Sequence, residues 1–473
     1  MTLPDSYGLW LLIADWLIRI AALFWIPSRS RPAAARSWLL LVGFVPLLGL
    51  PIYLVLGQPW VSAQRRERQA AASRLIVEKQ APLSQLRWAT PADPAIIGDD
   101  IARLAERLGG FMPMTGNDIA LLDDYQASLD ALLADIDAAR HELHLLYYLM
   151  FDDAVGQAFA DALTRAAQRG VRCRLLLDAV GAKRGLRAYA RPLRAAGVDV
   201  RPMLAGGLAW RRSSRMDLRN HRKIAVIDGR IGYTGSQNLA QAEFVRRFPN
   251  REVVARVQGP VVAQLAALFA SDWYIETGEV LTIDTAAQAI GATPAQVLPS
   301  GPAYPFENAR NVMIAMIQRA QHKVVLATPY FVPDDATLNA LRIAALSGID
   351  VQLILSKTNN QHLTAWTQAS YYDELLLAGV RIALYRPHFL HAKHLSVDEE
   401  IALVGSINLD IRSFALNAEV GLLCYDPAVV ARLRAIEADC LAQSDTIDLT
   451  VWRRRPAWRG SIEGIARLAD SLL

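Results

Sequence analysis

The sequence of 473 residues has little of several things. It has three cysteines, Cys173, Cys424 and Cys440, spaced neither as zinc ligands nor as a disulfide framework. A cysteine-stapled scaffold is therefore excluded, and the redox compartment is left open. Lysine is scarce: of 50 basic residues only six are lysine, at 79, 183, 223, 323, 357 and 393, and the rest are arginine, as a biased genome composition would give. Net charge is only +4, so no whole-molecule attraction to a polyanion is implied and nucleic acid is not an expected partner. Any basic effect must be local. No His, Asp and Glu cluster has metal-site spacing, so neither a metal nor another cofactor is expected. The length allows two or three domains with sizeable cores.

Two of the six lysines fall in a motif that occurs twice. His-x-Lys-x4-Asp is present as His221, Lys223, Asp228 and again as His391, Lys393, Asp398. Seven residues after each Asp comes Gly-Ser-x-Asn: Gly235, Ser236, Asn238, and Gly405, Ser406, Asn408. Asn-x-Glu follows, as Asn250 and Glu252, then Asn417 and Glu419. One such pattern arises by chance in a long chain. Two copies of three sub-motifs in the same order mark a duplication, which extends outward: RAAQRGVRCRLLLD aligns with RIAALSGIDVQLILS, and LRAAGVDV with LLLAGVRI.

Each copy reads as half of a phosphate site. On a strand, residues two apart share a face, so His221 and Lys223 point the same way. Ile224 to Ile227 suits a buried strand, Asp228-Gly229 a tight turn, and Ile231 to Tyr233 the returning strand. Glycine lets backbone approach a ligand, and Ser and Asn offer donors to anionic oxygens. Two facing halves would supply two imidazoles, one to attack phosphorus and one to protonate the leaving oxygen. Lys223 and Lys393 would neutralise the charge. The bland alternative, two solvated basic strands, does not account for the duplication.

On these residues the chain resembles the phospholipase D superfamily. Along its whole length, including its amino-terminal apolar pair, it resembles the bacterial cardiolipin synthases of that type. The resemblance implies an α/β fold of two tandem phospholipase D-like sandwich lobes with pseudo-two-fold symmetry and one shared site, preceded by a transmembrane helical hairpin. It implies a phosphohistidine intermediate, with His221 as nucleophile and His391 as general acid and base. Glu252 and Glu419, about thirty residues after their histidines, would orient the imidazoles as triad carboxylates do. The implied reaction moves a phosphatidyl group between two phosphatidylglycerol molecules, giving cardiolipin and glycerol. The implied setting is multi-pass in the bacterial inner membrane, with anionic phospholipid as partner and a homo-oligomer possible. The alternative is a membrane-tethered phosphodiesterase that hydrolyses phospholipid or nucleic acid. An inactive membrane scaffold is disfavoured by the intact duplicates.

The expected organisation is a hairpin over 1–60, a juxtamembrane linker over 61–110, and lobes over 111–290 and 291–473. Tyr7 to Ile26 and Trp38 to Leu56 are each long enough to span; Pro46 and Pro51 leave the second open to a re-entrant form. Asp15 and Arg19 are four apart, on one face of the first. Arg65, Arg66, Arg68, Arg74 and Lys79 suit an anionic lipid surface. Strands are expected over 142–148 and 171–177, repeated over 324–326 and 351–355. Helices are expected over 156–168 and 193–196, repeated over 337–347 and 375–378, each ended by glycine: Gly170, Gly197, Gly348 and Gly379. Gly197 to His221 spans 24 residues against 12 for Gly379 to His391. The extra length carries Arg211, Arg212 and Arg215, candidates for a second lipid phosphate because arginine binds phosphate in a fork. His388 and His394 bracket the second motif and read as structural or substrate-adjacent. The tail with Trp452, Arg453, Arg454, Arg455, Trp458 and Arg459 suits either a membrane interface or an exposed basic end.

Overall fold

A computed structural model describes residues 5–30, 32–57, 62–88, 98–205, 217–244, 248–283, 288–359 and 361–468. The first run of strands is β1 (Met114–Leu122), β2 (Glu142–Tyr147), β3 (Arg172–Asp178), β4 (Asp199–Met203), β5 (Arg219–Asn220), β6 (Ile224–Ile227), β7 (Ile231–Gly235), β8 (Asn250–Arg251) and β9 (Val254–Gln258). The second is β10 (Thr293–Ser300), β11 (Lys323–Thr328), β12 (Phe331–Val332), β13 (Asp350–Ser356), β14 (Arg381–Tyr385), β15 (Phe389–Leu390), β16 (His394–Val397), β17 (Ile401–Gly405), β18 (Leu409–Asp410), β19 (Asn417–Cys424) and β20 (Ser444–Thr446).

The main sheet is mixed and runs β4-β3-β2-β6-β7-β9-β1-β10-β19-β17-β16-β11-β13-β14-β20. β2, β3 and β4 are parallel, as are β11, β13 and β14; the strands between them pair antiparallel. The order β4-β3-β2-β6-β7 recurs as β14-β13-β11-β16-β17, as the aligned segments lead one to expect. Strands such as Ile224–Ile227 are buried on both faces and therefore continuously apolar rather than alternating. Helices cover them. Helix Val261–Thr277 is buried along most of its length, with Leu265, Phe269 and Trp273 in a core shared with both runs of strands.

Local signals start and stop the helices. Asp153 accepts the N–H of Gly156 at 2.9 Å, and Asp334 that of Thr337 at 3.1 Å, satisfying first-turn donors. The glycines expected to end helices, Gly170, Gly197, Gly348 and Gly379, have φ of 88°, 96°, 92° and 95°, which a side chain rarely adopts. Helix Lys183–Ala195 is longer than the expected 193–196, because an amphipathic turn with Tyr189 and Ala190 buried precedes Leu193.

At the amino terminus, α1 (Asp5–Trp25) carries an apolar window, Gly8–Trp25, long enough to cross a membrane by length and composition. Asp15 and Arg19 pair with each other at 2.9 Å. The expected second span is not one helix. It is α2 (Pro32–Phe44) and α3 (Pro46–Leu56), of 13 and 11 residues, broken where Val45 leaves helical geometry ahead of Pro46. Each is shorter than the ~20 residues a span needs. α3 folds back on α2, for a Cβ on Gly49 would lie 2.9 Å from the Leu41 carbonyl oxygen. Among the described residues one helix, not two, is long enough to span.

The described parts of the 61–110 segment are packed. α4 (Ala63–Gln80) lies along helix Val261–Thr277, where Arg65 donates to Glu276 at 2.6 Å and Arg68 to the Ile275 carbonyl at 3.1 Å. α5 (Gly98–Gly109) buries Ile101, Ala102 and Ala105 in a core with Val312 and Met316. The Trp/Arg tail is paired in part, with Arg454 and Arg459 left exposed. Arg453, Arg455 and Arg467 pair with Asp373, Glu463 and Glu374 at 2.7, 2.7 and 2.8 Å, while Trp458 stays exposed.

Candidate active site

Two short parallel pairings bring the motifs together. β5 pairs with the start of β19, placing Arg219 opposite Asn417 and Asn220 opposite Ala418. β15 pairs with β8, placing Phe389 opposite Asn250 and Leu390 opposite Arg251. The N–H of His221 then donates to the Ala418 carbonyl at 2.8 Å, and that of His391 to the Arg251 carbonyl at 2.9 Å. Each histidine is thus stitched to the strand carrying the other copy's Asn-x-Glu.

The side chains follow. Nδ1–H of His391 donates to Oε1 of Glu252 at 2.7 Å. Nδ1 of His221 lies 3.5 Å from Oε1 of Glu419. The expectation that each glutamate serves its own histidine is corrected: the partners are exchanged between copies. The separation of about thirty residues is spent crossing the sheet, while the β5–β19 and β8–β15 pairings supply the near neighbour.

His221 and Lys223 lie between β5 and β6 rather than within a strand, yet they share a side. The ring of Tyr148 is 4.0 Å from that of His221 and 5.6 Å from the Lys223 ammonium. Lys223 donates to the carbonyl of His221 at 2.5 Å, and Lys393 donates to that of His391. Arg222, between them, faces the other way, and its Nη1 donates to both carboxylate oxygens of Asp272 at 2.7 and 2.6 Å. Its guanidinium also reaches the Glu419 carbonyl at 3.1 Å, anchoring both strands.

Burial dominates the electrostatics. It drives His221 well below its ordinary value, and Lys223, Lys393 and Arg412 add to the effect. It also lowers His391, but there Glu252 opposes it. Burial brings Lys393 down to about 7 against the pull of Glu252, and it lowers Lys223. Glu252 is held down at about 2, because the imidazole of His391 and its hydrogen bond outweigh burial. Glu419 moves up, since burial outweighs Lys223 and the hydroxyls bound to it. Both imidazoles keep an accessible edge, with side chains 21% and 15% exposed.

The motif aspartates are not in this cluster. Asp228 accepts the N–H groups of Arg140, His141 and Glu142 at 2.9, 2.7 and 2.9 Å. Asp398 does the same for Gln321, His322 and Lys323 at 2.9, 2.8 and 2.8 Å. Both sit at the far end of the strand that follows the histidine, with φ of 50° and 49°, and tie the start of β2 or β11 to the β-turn. Although the doubled motif suggests catalytic aspartates beside the histidines and lysines, Asp228 and Asp398 hold a scaffolding place instead.

The Gly-Ser pairs also face protein rather than ligand. A Cβ on Gly235 would lie 2.5 Å from the Val253 carbonyl oxygen, and one on Gly405 2.2 Å from that of Val420. The glycines let the backbone just after each glutamate come close. Ser236 accepts the Val253 N–H at 3.0 Å, and Ser406 accepts that of Val420 at 3.0 Å. Ser406 also donates to Oε2 of Glu419 at 2.5 Å. Asn238 accepts the Leu149 N–H at 3.2 Å, and Asn408 is buried nearby on the second copy. Asn250 donates to Oε1 of Glu252 at 3.2 Å.

Arg211, Arg212 and Arg215 lie outside the described residues. His394 is buried on β16, its Nε2 3.5 Å from Glu437, with burial taking it down to about 3; its role is structural. His388 stacks on Tyr385 with ring centroids 6.3 Å apart. Three residues near the histidines escaped sequence reasoning: Tyr148, Arg412 and Ser413. Arg412 and Ser413 stand between Asn408 and Asn417, inside the second motif, and that position was the available signal. Among the described residues no group of three or more His, Cys, Asp or Glu is placed to hold a metal ion.

Comparison with known proteins agrees with this geometry. A family model described as "Cardiolipin synthase, PLD-like domain" matches residues 132–273 and 313–439. The chain is 33% identical over 479 residues to cardiolipin synthase A of Serratia proteamaculans (strain 568), covering 99% of this chain and 97% of that one. Cardiolipin synthase A of Yersinia pseudotuberculosis serotype O:3 and of Pectobacterium carotovorum match at the same identity and coverage. In fold, the crystal structure of phosphatidylserine synthase from Haemophilus influenzae Rd KW20 is similar, with a TM-score of 0.59 at 15% identity over 79% of this chain and all of that one.

Proposed function

The chain belongs to the phospholipase D-like cardiolipin synthase family, and from that premise we infer that it is a phosphatidyltransferase that makes cardiolipin from two phosphatidylglycerol molecules at a membrane. The observation that carries the reading is the exchanged pair of His–Glu contacts, which sets two histidines and two lysines around one place. We propose that the strand order repeated about β1 and β10 reflects two lobes with pseudo-two-fold symmetry that share this site.

The proposed chemistry uses His221 as nucleophile. Of the two imidazoles it is the one driven further from charge, so its Nε2 lone pair is available. It attacks the phosphorus of the first phosphatidylglycerol, and the bond to the head-group glycerol oxygen breaks. His391 keeps its proton better, because Glu252 opposes the effect of burial, and passes that proton to the leaving oxygen. Glycerol departs and phosphatidyl-His221 remains. His391 then takes the proton from a hydroxyl of a second phosphatidylglycerol; that oxygen attacks phosphorus, and the P–N bond breaks to return the electron pair to His221. Lys223 and Lys393 offset the phosphoryl charge at each stage. Asp228 and Asp398 keep a scaffolding role.

Transfer rather than hydrolysis requires lipid to reach the adduct ahead of water. A cleft of about 890 Å3 supports this. It lies between α2 and the body, lined by Ser37, Leu40, Phe306, Ile411, Phe414 and Leu468, and its volume suits a lipid-sized ligand. We propose that α1 crosses the bilayer, that α2 and α3 enter and leave by one side, and that Arg211, Arg212 and Arg215 hold the second phosphate. Incubation with phosphatidylglycerol vesicles, followed by thin-layer separation, tests the function. Cardiolipin and glycerol are expected in equal amounts, and cardiolipin with excess glycerol should regenerate phosphatidylglycerol. Phosphatidic acid as the dominant product would overturn the synthase reading in favour of a hydrolase.

A further inference from the structure

The two exchanged contacts are unequal, and one side chain accounts for the difference. Helix Ile411–Ala415 begins at Asp410, whose carboxylate accepts the N–H of Ser413 at 2.7 Å and fixes that residue. Ser413, fully buried, then donates its hydroxyl to Oε1 of Glu419 at 2.9 Å. With Ser406 on Oε2 at 2.5 Å, both oxygens of Glu419 are taken by hydroxyls. The oxygen held by Ser413 is the one facing His221, and it stands 3.5 Å from Nδ1, beyond a good hydrogen bond. Its counterpart on Glu252 makes a 2.7 Å bond to His391. The first copy has no equivalent hydroxyl: between Asn238 and Asn250 the chain reads LAQAEFVRRFP, and Oε1 of Glu252 accepts instead a longer bond of 3.2 Å from the amide of Asn250.

We propose that Ser413 is a positioning residue that makes the two histidines unequal, by holding the carboxylate of Glu419 away from His221 so that this imidazole stays neutral and nucleophilic. The proposal rests on the assignment of His221 as nucleophile. Beside burial, the basic neighbours of His221 all lower it: Lys223 beside it, Lys393 and His391 from the second copy, and Arg412 from the helix of Ser413, with Tyr148 capping the ring. Glu419 is the group that could hold a proton on the ring, and its other neighbours are Lys223, Asp410 and Ser406. Releasing its Oε1 would let it close on Nδ1 and bind the imidazolium form.

The test is the pH profile of kcat/KM for Ser413→Ala and Ser413→Thr. Attack needs neutral His221, so the acid limb reports its protonation. In Ser413→Ala the limb should move to higher pH by about one unit, the size of shift a nearby carboxylate causes. Ser413→Thr keeps the hydroxyl and should keep the native limb. If the alanine protein does not fold, Ser413→Cys, near-isosteric and a weak donor, carries the same comparison. A rate that falls equally at all pH values with the limb unmoved would overturn the proposal and leave Ser413 a packing residue. Trapping by denaturation in alkali, where a histidine P–N bond survives, separates the two levels: a phosphoryl adduct mapped to His391 overturns the assignment of roles, whereas an adduct on His221 with an unmoved limb overturns only the role of Ser413.

Discussion

Oε1 of Glu252 lies 2.7 Å from Nδ1 of His391, although the two belong to different copies of the repeat and stand 139 residues apart. The carboxylate that orients His391, the proposed acid, therefore comes with the copy that carries His221, the proposed nucleophile, and neither half holds a complete His–Glu pair. Glu252→Gln should impair His391 and spare His221. Turnover of phosphatidylglycerol is expected to fall about 10³-fold or more, as when a triad carboxylate is lost. A phosphodiester with a nitrophenol leaving group needs no acid, and should still load His221 at close to the native rate. Equal loss of both steps would point to Glu252 acting on His221.

Alkaline loss of activity should come early. Burial brings Lys393 down to about 7, Glu252 resisting and Lys223 assisting. A lysine whose value is lowered loses its charge as pH rises through that lowered value, so the rate should decline above about pH 7 rather than near 10. Lys393→Arg stays protonated. Its kcat should be lower because the fork fits differently, but its alkaline limb should move up by two units or more. A limb identical to that of the native enzyme would remove Lys393 from the titration.

Asp228→Asn should damage stability rather than chemistry. Three backbone N–H groups converge on that carboxylate, so the substitution should cost on the order of 2–3 kcal/mol and several degrees in Tm. The folded protein should keep kcat within a few-fold. Burial raises the Asp228 carboxyl, but the N–H groups of Glu142, Arg140 and His141 bring it below its ordinary value. A lowered acid contributes at neutral pH, and the contribution is lost as pH falls through the folded value. The stability gap between native and variant should therefore close in acid, which denaturant titrations at pH 7 and pH 3 would measure.

A chain starting at residue 62 lacks α1 to α3 and keeps α4 on its helix, held by Arg65 and Arg68. It should fold and form the histidine adduct with a soluble phosphodiester. Turnover on bilayers should fall at least tenfold, since the α2 wall of the cleft is gone. A truncated chain that fails to fold would make the contact of Ser37 with Leu468, at 2.9 Å, part of the core.

The sequence by itself determined the repeat and the residues that it doubles. His221, Lys223, His391 and Lys393 were legible because an imidazole and an ammonium at fixed spacing, written twice, have few other uses. Strands over 142–148 and 324–326 and the glycine-ended helices were legible because apolar runs and helix-stopping glycines are local signals. What the tertiary structure decided is non-local. The exchange of Glu252 and Glu419 follows from β5 pairing with β19 and β8 with β15, two-residue ladders too short to leave a pattern. The scaffolding place of Asp228 and Asp398 follows from which backbone amides end beside them, which no spacing encodes. The second apolar stretch looked like one span because composition registers length; Val45 and Pro46 break it, and whether a break straightens or doubles back depends on what α3 packs against. The inequality of the two imidazoles likewise lies in a single hydroxyl, Ser413, whose meaning appears only when β19 brings Glu419 beneath it.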